Sequence, residues 1–154
     1  VAIDKLKKRY SNVEWKFPCI HLDNVTFIDT RFDNLTITFK NEKLVEAKFT
    51  LSDFVSVADN PFKDRATLLN EAKSKQNQIA NRFTQTFNSL GNAFCSKYGN
   101  PAVSSEGNAI WRDTNSNSIT LNVTLNNSQD ELGVHFDGIL TVTYRTATTN
   151  NDEF

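Results

Sequence analysis

Residues 60–101 read NPFKDRATLLNEAKSKQNQIANRFTQTFNSLGNAFCSKYGNP, and this stretch decides the fold. Ile79, Phe83, Phe87, Leu90, Phe94 and Tyr98 follow one another at intervals of four, four, three, four and four. Those intervals lay one apolar stripe along a helix of period 3.6. Leu69 and Ala72 extend the stripe backwards, and Gln85 falls on the opposite face. Asn60 followed by Pro61 offers an N-cap and a first helical residue, with Asp64 and Thr67 as later starts. The stop is firmer. Gly99 can adopt the left-handed conformation past the last turn, and Pro101 prevents continuation.

Everything on either side of this stretch reads as strand or loop. Leu35, Ile37 and Phe39 alternate with Thr36, Thr38 and Lys40, and Val45, Ala47, Phe49 and Leu51 alternate with Glu46, Lys48 and Thr50. The link Lys40-Asn41-Glu42-Lys43 makes these a β-hairpin. Val13, Trp15 and Phe17 alternate in the same way until Pro18, after which Ile20 and Leu22 resume. Residues 24–28 form a further short strand, and residues 29–34 carry turn chemistry. Residues 52–59 fit either a continued strand or a segment beneath the helix. Downstream, residues 102–108 read as a loop and residues 109–112 as a short strand. Ile119, Leu121, Val123 and Leu125 then alternate with Thr120, Asn122, Thr124 and Asn126. Residues 126–133 read as a polar loop. Val134, Phe136, Leu140, Val142 and Tyr144 form the last strand, with Gly138 as a bulge.

The predicted class is therefore α+β: one long helix packed on an antiparallel sheet, in the order strands, helix, three strands. Residues 13–146 form a single domain. Residues 1–12 are a basic segment, with Lys5, Lys7, Lys8 and Arg9 set among Ile3, Leu6 and Tyr10, and residues 147–154 are a polar tail. Phe supplies 12 residues of the 154-residue chain, and a side chain without a polar handle marks core.

Composition excludes several functions. A net charge of −1 provides no basic field for nucleic acid. Five glycines form neither G-x-G-x-x-G nor a phosphate loop. No apolar run approaches the ~20 residues of a transmembrane helix. The chain contains no methionine, so it is expected to begin after a processed segment, which a cleaved signal sequence would explain.

The residues that could carry chemistry are few. His21 and His135 are candidates for a pocket wall, but neither has a nucleophile placed by local spacing. Asp23 lies two residues from His21 and so on the same strand face. Cys19, His21, Cys95 and His135 are the four side chains of a conceivable zinc tetrahedron, yet they lack the close pairing of zinc sites. Asp29 and Asp33 flank a turn where weak calcium binding competes with ordinary turn chemistry. Asn24, Asn34, Asn122 and Asn126 begin Asn-x-Ser/Thr sequences, which carry glycans in an animal secreted protein and in a bacterium are a by-product of Asn- and Thr-rich strands. No catalytic, cofactor or metal residue is assigned. Cys19 and Cys95 are expected to pair, pinning the N-terminal strand to the last helical turns. The alternative is two buried thiols.

The run Lys97-Tyr98-Gly99-Asn100-Pro101, followed by a strand bearing Trp111, resembles small bacterial envelope or secreted domains. The functional expectation is a non-enzymatic, extracytoplasmic module (periplasmic, cell-surface or secreted) that binds or inhibits a protein through a Thr- and Asn-rich sheet face. It needs no cofactor. The rival is a small-ligand carrier or enzyme with a pocket between helix and sheet.

Overall fold

The computed structural model describes residues 19–58, 60–130 and 133–147, and the backbone of residues 15–16. Among the described residues four strands precede the helix: β1 (Trp15–Lys16), β2 (Cys19–Phe27), β3 (Thr30–Lys40) and β4 (Lys43–Ala58). Helix α1 spans Arg65–Tyr98, 34 residues. Four strands follow: β5 (Val103–Ser105), β6 (Asn108–Arg112), β7 (Ser118–Asp130) and β8 (Gly133–Arg145). They form one antiparallel sheet in the order β1-β2-β3-β4-β8-β7-β6-β5. Two meanders, one from each side of the helix, are thus joined where β4 pairs with β8. The α+β class and the strands–helix–strands order are as expected. The three strands expected after the helix are preceded by one more, the three-residue edge strand β5. The expectations for the basic segment 1–12 and for residues 148–154 of the tail lie outside the described residues.

The helix begins later than Asn60. Asp64 is its N-cap, and its carboxylate accepts a hydrogen bond of 2.7 Å from the Thr67 amide. Asn60 instead closes a local turn by accepting from the Phe62 amide. At the other end Gly99 takes φ +81° and its amide donates to the Cys95 carbonyl, the stop that the sequence predicts. The indole Nε1 of Trp111 donates to the Gly99 carbonyl at 3.0 Å, which fixes this end of α1 to β6. The Thr67 amide holds the Asp64 carboxyl below its ordinary pKa. A depressed carboxyl pKa stabilises the fold above the unfolded value, and the contribution is lost as pH falls through the lower folded value. Asp64→Ala is therefore expected to lower the melting temperature at neutral pH. The deficit should shrink on acidification below the ordinary carboxylate range, and thermal melts across that range check it.

Ala72, Ile79, Phe83, Leu90 and Phe94 are the buried residues of the stripe. Phe87 is half-buried, while Leu69 and Tyr98 are exposed at the helix ends. The helix lies across β4, β8, β7 and β6. Its stripe shares a core with Trp111, Leu121, Phe136, Leu140 and Val142. A second cluster, Ile20, Leu22, Val25, Leu35, Ile37 and Phe39, occupies the same sheet face on the β2–β3 wing, and Phe49 packs against both. Residues 51–58 resolve as the continuation of β4, paired throughout with β8.

Gly138 is not a bulge. The β8 register runs past it without a shift on both sides. A Cβ there would meet Leu125 Cδ2 at 3.1 Å and two ring carbons of Phe83 at 3.4 Å. Glycine is present because the helix passes close over β8 at this point.

The Cys19–Cys95 bond does not exist; both thiols are free. The reason is strand phase. Ile20 and Leu22 point to the helix side, so Cys19 points with His21 to the other side. Cys95 packs against the core under α1. The sheet therefore lies between the two sulfurs.

Candidate functional site on the outer sheet face

Period two assigns each residue of the central strands to a face. In β4, Phe49, Leu51, Val55 and Val57 point toward the helix side, which leaves Ser52, Phe54 and Ser56 on the outer face. In β8 the outer residues are His135, Asp137, Ile139 and Thr141, and in β7 they are Ser128, Asn126, Thr124 and Asn122. The registers set Ser56, His135 and Ser128 in one row and Phe54, Asp137 and Asn126 in the next. Ser52, Ile139 and Thr124 form the third row. Phe54 is 62% exposed and Ile139 40%, so two large apolar side chains stand among the polar outer residues of these three strands.

His135 is held from both sides. Its Nδ1 lies 2.8 Å from Ser56 Oγ and its Nε2 lies 3.0 Å from Asp130 Oδ1. With the proton on Nε2, the ring accepts from the Ser56 hydroxyl and donates to the Asp130 carboxylate. Its plane is thereby fixed 10° from that of the Phe54 ring, with 6.4 Å between centroids. Asn126 donates from Nδ2 to Asp137 at 3.2 Å and orders the adjoining row. A hydroxyl, an imidazole and a carboxylate in series are the parts of a nucleophilic triad. Here, however, the serine stands exposed on an open sheet, not in a cleft that could hold a substrate against oxyanion donors. What the string does is hold the His135 ring nearly parallel to that of Phe54.

His21 has the same arrangement on the β2–β3 wing. Its Nδ1 is 3.1 Å from Thr36 Oγ1 and its Nε2 is 3.3 Å from Asp23 Oδ1, the neighbour that strand spacing predicts. No ring stacks on His21 among the described residues. The structure keeps the two histidines apart, on β2 and β8, and Cys95 lies on the helix side of the sheet. Among the described residues no group of three or more His, Cys, Asp or Glu is placed to hold a metal. Asp29 lies in the β2–β3 turn at φ +56°, while Asp33 lies within β3 and accepts from the Ser52 amide and hydroxyl.

Among the described residues, a cleft opens at each end of α1. One, of about 120 Å³, lies among Val57, Arg65, Leu68, Leu69, Gln129 and Val134. The other, of about 160 Å³, lies among Tyr98, Trp111, Arg112, Asp113, Ile119 and Tyr144. Both are smaller than the roughly 300–1,000 Å³ of small-molecule sites, and neither histidine lines them.

The site residue that the sequence reading passed over is Phe54. Its signal was present, since continuing the alternation from Phe49 and Leu51 puts Phe54 on the outer face. The partners of His135 carried none: Ser56 is 79 residues away, on a strand whose pairing with β8 is not local. No protein-family model, no curated protein and no solved structure matches the chain.

Proposed function

We propose that the protein is a non-enzymatic, extracytoplasmic binding module that docks a protein partner on the outer face of β4, β8 and β7. The observation that carries this reading is the Phe54–His135 pair, an exposed aromatic ring stacked on an imidazole that two hydrogen bonds immobilise. Aromatic side chains on a rigid support give binding energy at little conformational cost, and they dominate protein interfaces. Ile139 adds apolar area on the same face, and Thr124, Asn126 and Thr141 surround it with neutral polar groups. The extracytoplasmic setting no longer has a disulfide among its reasons; cell fractionation with an antibody against the chain tests it separately.

The small-ligand reading has weaker support. The interior between α1 and the sheet is filled by Phe32, Phe83, Leu90, Phe94, Leu121 and Leu140, each at most 2% exposed. Neither histidine lines the clefts at the ends of α1, although Asp130, the partner of His135, lies at the rim of one.

Phe54→Ser is the direct test. Because Phe54 is mostly exposed, the variant is expected to melt close to the wild type. Immobilised wild-type protein should retain a partner from envelope or culture-fluid extract of the source cells, and Phe54→Ser should lose it at least tenfold. Equal retention by both proteins would rule out this face as the docking surface.

A further inference from the structure

The sheet has an open step along β7. Strand β6 pairs with β7 only as far as Asn108 opposite Asn122, whereas β7 continues along β8 to Asp130 opposite Gly133. Residues 124–130 are all exposed, and among the described residues no strand lies on their outer edge. The Val123 amide donates across the sheet to the Gly107 carbonyl on the β6 side. Backbone groups alternate in direction along a strand, so Leu125, Asn127 and Gln129 each present an N–H and a C=O to the open edge.

The opposite edge of the same three-stranded ribbon is treated differently. Beyond Thr50, β4 has no β3 neighbour. There the Ser52 amide is taken by the Asp33 carboxylate at 2.8 Å and the Phe54 amide by the Asp53 carboxylate at 2.8 Å. Asp53 is in turn paired with Arg82 at 2.8 Å. Carboxylates and a guanidinium block a docking strand on that edge, the usual protection of an exposed edge. Among the described residues the β7 step has no such device: residues 124–129 contain no charged side chain and no proline.

We propose that this step pairs with the same step of a second copy, forming a two-fold symmetric dimer in which β7 runs antiparallel to the partner's β7. The pattern is self-complementary about Asn127. Asn127 falls opposite its own counterpart, Leu125 opposite the partner's Gln129, and Thr124 opposite the partner's Asp130. All three outward-facing residues of each copy then exchange both backbone hydrogen bonds, and no like charges face each other within the paired strands. Shape agrees with this. In each copy β6 fills the first half of the β7 edge and leaves the second half open, so the two steps interlock as an isologous contact requires. The axis stands perpendicular to the sheet, which puts both α1 helices on one side. The two β8 strands lie three strand spacings apart, about 14 Å. That exceeds the 8–10 Å between packed helix axes, so α1 does not obstruct the pairing.

The two-fold axis passes through residue 127, which gives a direct test. In a background with Cys19→Ser and Cys95→Ser, Asn127→Cys places two thiols on directly opposed residues about 5.5 Å apart, within disulfide reach. Under mild oxidation it is expected to form a covalent dimer at least tenfold faster than Gln85→Cys, whose position lies on the exposed face of α1. Sedimentation of the unmodified protein from low to several hundred micromolar should show reversible dimers, and Leu125→Lys should shift them to monomer with an unchanged circular dichroism spectrum. Cross-linking of Asn127→Cys no faster than that of Gln85→Cys would overturn the proposal, as would a protein that stays monomeric throughout. The outer-face reading would be untouched by either result, because it uses other residues.

Discussion

Replacing Phe94 with alanine is expected to lower the free energy of unfolding by about 3–5 kcal/mol, the range for deleting a fully buried aromatic side chain. Phe94 is 2% exposed. Its ring lies 5.3 Å from that of Trp111 on β6 and 6.4 Å from that of Phe27 on β2, and Phe27 stacks on Phe49 of β4 at 4.6 Å. These rings connect the two meanders through the helix, so the cavity cannot be closed by a shift of one strand. Phe87→Ala is the informative comparison. Sequence spacing gives the two positions equal standing, but Phe87 is half-buried on the flank of the stripe. Its loss is expected to be about half as large or less. Gln85→Ala, on the solvent side, should change stability by less than ~0.5 kcal/mol. Denaturant titrations of the three variants measure the order; equal effects of Phe94→Ala and Gln85→Ala would show that the helix is not seated as described.

Gly138→Val is expected to cost about 2–3 kcal/mol by overpacking. The first added carbon already meets Leu125 and Phe83 at 3.1–3.4 Å, and valine adds two methyl groups beyond it. Phe83 is 0% exposed and has nowhere to move, whereas Leu125 is 40% exposed and can swing outward. Gly138→Ala is therefore expected to cost less than ~1 kcal/mol. The mechanism has its own check in a double-mutant cycle. If the clash is with the Phe83 ring, Gly138→Val combined with Phe83→Leu should be less destabilising than the sum of the two single effects. Additive losses would place the cause elsewhere.

The elements of this fold were legible because each carries its own period. The helix declares itself by the spacing from Ile79 to Phe94, and β7 by the alternation of Ile119, Leu121 and Val123 with polar residues. Boundaries were less legible. Asn60 before Pro61 has the chemistry of a helix start, yet Asp64 four residues later is the cap, because either residue can accept from an amide and only the packed stripe selects between them. Gly138 looks like a bulge when only β8 is considered; its reason is a phenylalanine 55 positions earlier that packs on it. The disulfide failed for a related reason. Cys95 follows Phe94 of the stripe and packs against the core. Cys19, however, belongs to β2, where Ile20 and Leu22 are the inward residues, and not to the strand of Trp15, which pairs antiparallel with it. The candidate site divides in the same way. His21 and Asp23 were neighbours by spacing alone, whereas His135, Ser56 and Phe54 meet only because β4 pairs with β8. The open step on β7 depends on where β6 stops. Sheet order is set by the global packing of two meanders around one helix, and it is not written in any single segment.

The docking reading is tested most directly by a photo-reactive amino acid placed at Ile139, on the outer face beside Phe54, in the cells that make the protein. The same substitution at Gln85, on the exposed side of α1, serves as the control. Irradiation is predicted to give one discrete cross-linked protein from position 139, weakened when Phe54→Ser is added, and none from position 85. No product from position 139, or the same products from both positions, would contradict the assignment of this face as the working surface.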